Sequence, residues 1–159
     1  MPVPPEIAFE LMGLALEDAL AAAADDEVPC GAVVARADGT VVARGRNRIV
    51  ASRDPSAHAE MLAIRTAAAL EGNYRVPGLI LASTLEPCPM CLGAAFHARL
   101  AGVVYGAPEP KWGACGSLLN LAGHPLNHRM KVRGGVREEE CRKIIRDYFQ
   151  NKRRRHRTG

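Results

Sequence analysis

Leu79-Ile80-Leu81-Ala82-Ser83-Thr84-Leu85 is followed by Glu86-Pro87-Cys88-Pro89-Met90-Cys91, then by an apolar helical pattern to Leu100, a glycine at 102 and Val103-Val104-Tyr105. The first seven residues are almost continuously apolar, as in a strand covered on both faces. Pro89 suits the first position of a helix, where its missing N–H costs nothing, and Gly102 suits its end. A strand, a helix and a second strand with no hairpin between them form a crossover, and a crossover joins parallel strands. Residues 79–85 are therefore expected at the centre of a sheet.

Toward the N-terminus, residues 32–35 and 40–43 flank Asp38-Gly39, a dipeptide suited to a tight turn, and predict a β-hairpin. Asp54-Pro55 offers an N-cap followed by proline, so a helix is expected from there to Gly72. Ile7, Leu11, Leu14, Ala15 and Leu20 recur at helical spacing and predict a first helix to Ala24. Toward the C-terminus, residues 107–130 are rich in Gly, Pro and Asn and read as a long loop with a turn of helix at 117–121. A short strand is expected at 131–136. A last helix is expected from Glu138 to about Lys152, with acids at its start and bases at its end to match the helix dipole. The sum is an α/β layered domain with a mixed sheet.

With 48% apolar and 24% charged residues in 159, the composition is that of an ordinary globular chain, which excludes disordered and collagen-like classes. No linker or repeat divides it, so one domain over residues 1–151 with a basic tail over 152–159 is expected. No apolar run approaches the roughly 20 residues that span a bilayer, and the acidic N-terminal stretch lacks a basic leader region. A cytoplasmic protein without membrane contact is the expectation. Five cysteines, an odd number, argue for metal or catalytic use over a disulfide framework. Residues 1–30 carry a charge of −7 and the remainder +11, and the Lys152-to-Arg157 run suggests a polyanionic partner such as nucleic acid.

The chemistry concentrates in His58-Ala59-Glu60 and Pro87-Cys88-Pro89-Met90-Cys91. Two cysteines three apart at a helix start can face one ion, and the positive end of the helix favours the thiolates that zinc requires. His58 supplies a third ligand and leaves one tetrahedral position for water, the arrangement of a catalytic zinc site. Glu60 is placed to move that water's protons. Positions i and i+2 do not share a helix face, so either His58 lies in an irregular turn or Glu60 bends back. A closed site with a fourth ligand from Cys30, Cys115, Cys141 or His97 is the structural alternative. Individually, the three cysteines read as small buried apolar residues and His97 as a partly buried, satisfied histidine.

At these residues the sequence resembles the zinc-dependent cytidine/deoxycytidylate deaminase superfamily, which carries His-x-Glu followed by Pro-Cys-x-x-Cys. More narrowly it resembles the bacterial tRNA-specific adenosine deaminases. The likeness is carried by Val28-Pro29, Gly31-Ala32-Val33, Asn47-Arg48, Asp54-Pro55, Ala57 to Glu60, Thr84 to Cys88, Met90-Cys91 and Lys111, then Gly113-Ala114 and Gly116-Ser117-Leu118. Asn127-His128-Arg129 and Tyr148-Phe149 extend it. The resemblance implies a homodimeric three-layer α/β/α sandwich with a central mixed five-stranded sheet and one Zn2+ per subunit. It implies conversion of adenosine to inosine at the wobble position of a tRNA anticodon stem-loop. His58, Cys88 and Cys91 would hold zinc and Glu60 would shuttle protons. Asn47 and the backbone of Ala59 would grip the flipped base, with Val28 lining its pocket. Lys111, Asn127, His128, Phe149 and Arg153 would meet neighbouring nucleotides. The chain departs from the pattern at Glu109, at Cys30 and in its arginine-rich end. Two rival readings are a deaminase of a free base or nucleoside, such as guanine or cytidine, and a zinc-stabilised RNA-binding module without turnover.

Overall fold

The computed structural model describes residues 2–158. Its order is α1 (Pro5–Ala24), β1 (Gly31–Ala35), β2 (Val41–Arg46), α2 (Ile49–Ser52), α3 (Ala59–Glu71) and β3 (Ile80–Leu85). There follow α4 (Pro89–His97), β4 (Gly102–Ala107), β5 (Lys131–Arg133) and α5 (Glu138–Thr158). The sheet order β2-β1-β3-β4-β5 puts β3 in the middle, as its unbroken apolar run requires. β1 pairs antiparallel with β2 and β3, whereas β3, β4 and β5 run parallel, so the sheet is mixed.

The strand periodicity of two divides the core. Val33, Ala35, Ile80, Ala82 and Val104 pack with Ala8, Leu11, Met12 and Ala15 of α1 and with Cys141 of α5. Ala32, Val34, Leu81 and Val103 point the other way, against Ala59, Ala63 and Ala67 of α3 and Leu92, Ala95 and Phe96 of α4. This is the expected three-layer sandwich. Ser83 follows Leu81 at the strand period, so it emerges on the α3/α4 face. Gly45 of β2 lets α3 come close: a Cβ there would lie 2.4 Å from the Ala59 carbonyl oxygen.

Several elements differ from the sequence reading. The helix expected from Pro55 begins at Ala59, because Asp54 makes a turn instead of capping a helix. Its carboxylate accepts from the Ser56 N–H at 2.8 Å and hydroxyl at 2.7 Å, and its carbonyl accepts from the Ala57 N–H. The short α2 was not expected; buried Glu27 caps it by accepting from the N–H groups of Val50 and Ala51. The helical turn in the long loop lies at Leu121–Gly123, not 117–121, and is fixed by the Asn120 side chain. Strand β5 stops at Arg133, and α5 continues past Lys152 to Thr158.

Candidate metal centre and active-site cleft

Two helices begin at the same place. His58 is the N-cap of α3 and Cys88 the N-cap of α4, both with extended backbone and neither making a side-chain cap bond. Ser, Thr, Asp or Asn at such a position typically contributes about 1 kcal/mol over alanine by accepting from the helix N–H groups. Here the imidazole and the thiol forgo that role and face each other. The question left by the i, i+2 spacing is thereby answered: His58 stands just outside the helix and Glu60 just inside it.

The Cys91 Sγ lies 3.4 Å and the Cys88 Sγ 3.7 Å from His58 Nδ1. A tetrahedral zinc with ordinary bond lengths sets sulfur and nitrogen about 3.5 Å apart, so the three donors already stand at the edges of its coordination shell. Among the described residues, this is the group of three whose donor atoms lie within 4.8 Å of one another. Cys30, Cys115, Cys141 and His97 do not join it. Cys141 is buried on the opposite face of the sheet, and His97 is exposed where partial burial was expected.

Charge supports the same fit. Hydrogen bonds from Cys91 and then His58 bring the Cys88 thiol down to about 4, while the Cys88 sulfur and burial push Cys91 well up. The hydrogen bond with Cys88 raises His58. Burial raises the Glu60 carboxyl. Two sulfurs and a carboxylate crowd one imidazole in a buried place, a balance that a dication offsets.

Glu60 is almost fully buried. Its Oε1 accepts from the Ser83 hydroxyl at 2.9 Å, with Cys30 Sγ at 3.8 Å, and its Oε2 lies 3.7 Å from Cys91 Sγ. One carboxylate oxygen is thus tied to the sheet and the other faces the ligand group.

The centre forms the floor of a cleft of about 910 Å³ that is also lined by Val28, Asn47, Ala59 and Trp112. Asn47 donates from Nδ2 to the Val28 carbonyl at 3.3 Å, which leaves its buried Oδ1 without a partner. A buried acceptor with no donor is costly, so a ligand bearing an N–H or O–H group fits there.

The outer residues named from sequence lie apart from that lining. Lys111 and Asn127 are exposed. His128 is half-buried edge-on to Phe96, and its Nε2 is 2.7 Å from the Leu100 carbonyl oxygen. Phe149 packs on Tyr148, whose hydroxyl donates to the Asp26 carbonyl at 3.2 Å, and Arg155 pairs with the Asp26 carboxylate. Phe149 and Arg153 therefore ride on a helix docked two residues before Val28.

Three residues around the cleft were missed. Ser83 could have been found from its strand period. Glu86, buried at the end of the central strand, accepts from the N–H groups of Glu109, Cys115 and Ser117 and from the Ser117 hydroxyl. It holds the loop that walls the cleft; the sequence contains it only as part of the Thr84-to-Cys88 likeness, which assigns it no role. Trp112, on that loop, is the only tryptophan in the chain.

Residues 5–107 match the family model for the cytidine and deoxycytidylate deaminase zinc-binding region. The chain is 43% identical to a tRNA-specific adenosine deaminase of Agrobacterium fabrum, over 89% of this chain and 93% of that protein. It is 46% identical to a tRNA(Ile)-lysidine synthase of Deinococcus deserti over 92% of its own length. The chain spans only about a quarter of that relative and of its Deinococcus radiodurans counterpart. Among solved structures, one from studies of A-to-I editing by tRNA:A34 deaminases superposes with a TM-score of 0.81 at 43% identity, covering 85% of this chain and 98% of that one. A guanine deaminase from Nitrosomonas europaea gives 0.79 at 27% identity, covering 88% and 83%. The chain belongs to the cytidine and deoxycytidylate deaminase zinc-binding family, in the branch of the tRNA-specific adenosine deaminases.

Proposed function

We propose that this chain hydrolyses adenosine to inosine at the wobble position of a tRNA anticodon loop, working in the cytoplasm as a homodimer with one zinc ion per subunit. The observation that carries the reading is the placement of Glu60, with one oxygen anchored by Ser83 and the other beside the His58, Cys88 and Cys91 donors. Zinc held by those three side chains would polarise a water for attack at neutral pH. Glu60 takes a proton from that water as its oxygen adds to C6 of the adenine and returns it to N1. The same carboxylate then moves the second proton from the new C6 hydroxyl to the amine, which leaves as ammonia. Asn47 and the Ala59 backbone orient the base, and Val28 packs against it. A hairpin loop suits such a cleft because its bases are already partly unstacked. Lys111, Asn127, His128, Phe149 and Arg153 would meet the rest of the loop, where phosphate attraction would weaken with salt. Among the described residues no helix is long and apolar enough to cross a membrane.

The likeness to a guanine deaminase gives the alternative, a free base as substrate. Ammonia release from an anticodon stem-loop, guanine and cytidine decides between them, with the Glu60→Gln variant in parallel. The proposal expects release from the stem-loop alone, lost by several orders of magnitude in the variant while zinc stays bound. Turnover of guanine or cytidine in place of the stem-loop overturns it.

A further inference from the structure

Trp112 lines the cleft that holds Glu60, yet 65% of it is exposed. Such an indole on a mobile loop would mean little, but this loop is fixed. Glu86 gathers three backbone N–H groups and a hydroxyl from residues 109–117, the Gly113 N–H bonds to the Glu109 carbonyl, and the Ala114 N–H to that of Pro87. Gly113 leaves no room for movement toward Glu86, since a Cβ there would lie 2.2 Å from Oε2. The Glu109 carboxylate is turned back on its own loop, accepting from the Lys111 N–H at 2.9 Å. The indole is therefore presented from a fixed backbone at the cleft, whose lining it shares with half-buried Pro89 and exposed Met90, and it follows the exposed Lys111.

We propose that Trp112 is a stacking platform for a nucleobase adjacent to the one drawn into the cleft. This rests on the reading of the substrate as a single-stranded RNA loop. A base flipped toward Glu60 leaves its neighbour without a stacking partner on one side, and every base has a face that an indole can cover. Lys111, the preceding residue, is exposed and adds a cation near a strand's phosphates. The site would select for a strand over a free nucleoside, which has no second base.

Because the chain holds a single tryptophan, fluorescence excited selectively above the absorption of its three tyrosines reports on this residue alone. The zinc-loaded Glu60→Gln protein, titrated with an anticodon stem-loop, is expected to show quenching that saturates with binding followed by anisotropy. Replacing a nucleotide next to the target by an abasic one removes the quenching, at one of the two flanking positions. Trp112→Ala is expected to bind the stem-loop roughly ten- to a hundredfold more weakly, and Trp112→Phe to keep most of the affinity. Binding with unaltered fluorescence, or unchanged affinity in Trp112→Ala, overturns the platform alone. Fluorescence that changes on dilution of the free protein and not on adding RNA would place Trp112 against a second copy and also overturn it. No binding of the stem-loop at all overturns both this inference and the proposed substrate.

Discussion

Removal of the Glu86 side chain tests how the cleft wall is held, and the structure sets the size of the effect. Glu86→Ala leaves the N–H groups of Glu109, Cys115 and Ser117 without their acceptor. An unsatisfied donor costs about 1–3 kcal/mol, and the lower end applies here because the residue borders an open cleft where water can substitute, so the loss is about 3 kcal/mol. For a chain of this length each kcal/mol moves the melting temperature by about 2–4 °C, so Glu86→Ala should melt about 6–12 °C below the parent. Glu86→Gln should fare better. With its amide nitrogen on the Oε1 side, the carbonyl keeps the Cys115 and Ser117 N–H groups and the Ser117 hydroxyl can reverse to accept. Only the long 3.3 Å bond from Glu109 is lost, a cost of about 1 kcal/mol. Thermal melts of the zinc-loaded proteins by circular dichroism measure the series. An alanine variant within 2 °C of the parent (on the order of 1 kcal/mol or less), or a glutamine variant less stable than the alanine one, would refute the hydrogen-bond accounting.

Two further outcomes follow from the metal centre. Ser83→Ala frees the anchored oxygen of Glu60, and a hydrogen bond to a carboxylate is worth about 1.5–3 kcal/mol, so kcat should fall by at least about tenfold with KM and bound zinc unchanged; a change confined to KM would contradict the orienting role. The Cys91 thiol is raised above its ordinary value and so carries its proton at neutral pH, which means zinc binding must release that proton. Affinity should therefore rise with pH by at least about tenfold per unit between pH 6 and 8, measured by competition with a chromogenic chelator, and a flat profile would rule out this ligand set.

Much of this protein is local in origin. The strand-helix-strand run at residues 79–105 specifies its parallel pairing through the crossover it demands, and the Asp38-Gly39 turn specifies the hairpin. The candidate ligands and Glu60 are legible because Cys88 and Cys91 share one helix start and because His58 and Glu60 flank another. What failed locally was Asp54-Pro55, whose side chain satisfies the Ser56 N–H and hydroxyl instead of capping a helix. Propensity permits both uses; here the turn bonds form, and His58 follows with extended backbone as the N-cap of α3.

The residues that only the fold reveals are those whose partners are distant in sequence. Ser83 meets Glu60 across 23 residues and Glu86 meets Ser117 across 31. Cys30 has no apparent task in sequence and lies against the Glu60 carboxylate. Periodicity and capping act over a few residues and are written in the chain, so most of the elements and the candidate donor triplet are legible there, whereas α2, capped by the distant Glu27, is not. Which oxygen of Glu60 is held, that the Asn47 oxygen is left bare and that Trp112 lines the cleft depend on side chains brought together when the sheet closes. Tertiary structure decides these, because hydrogen bonding and burial are properties of neighbours in space.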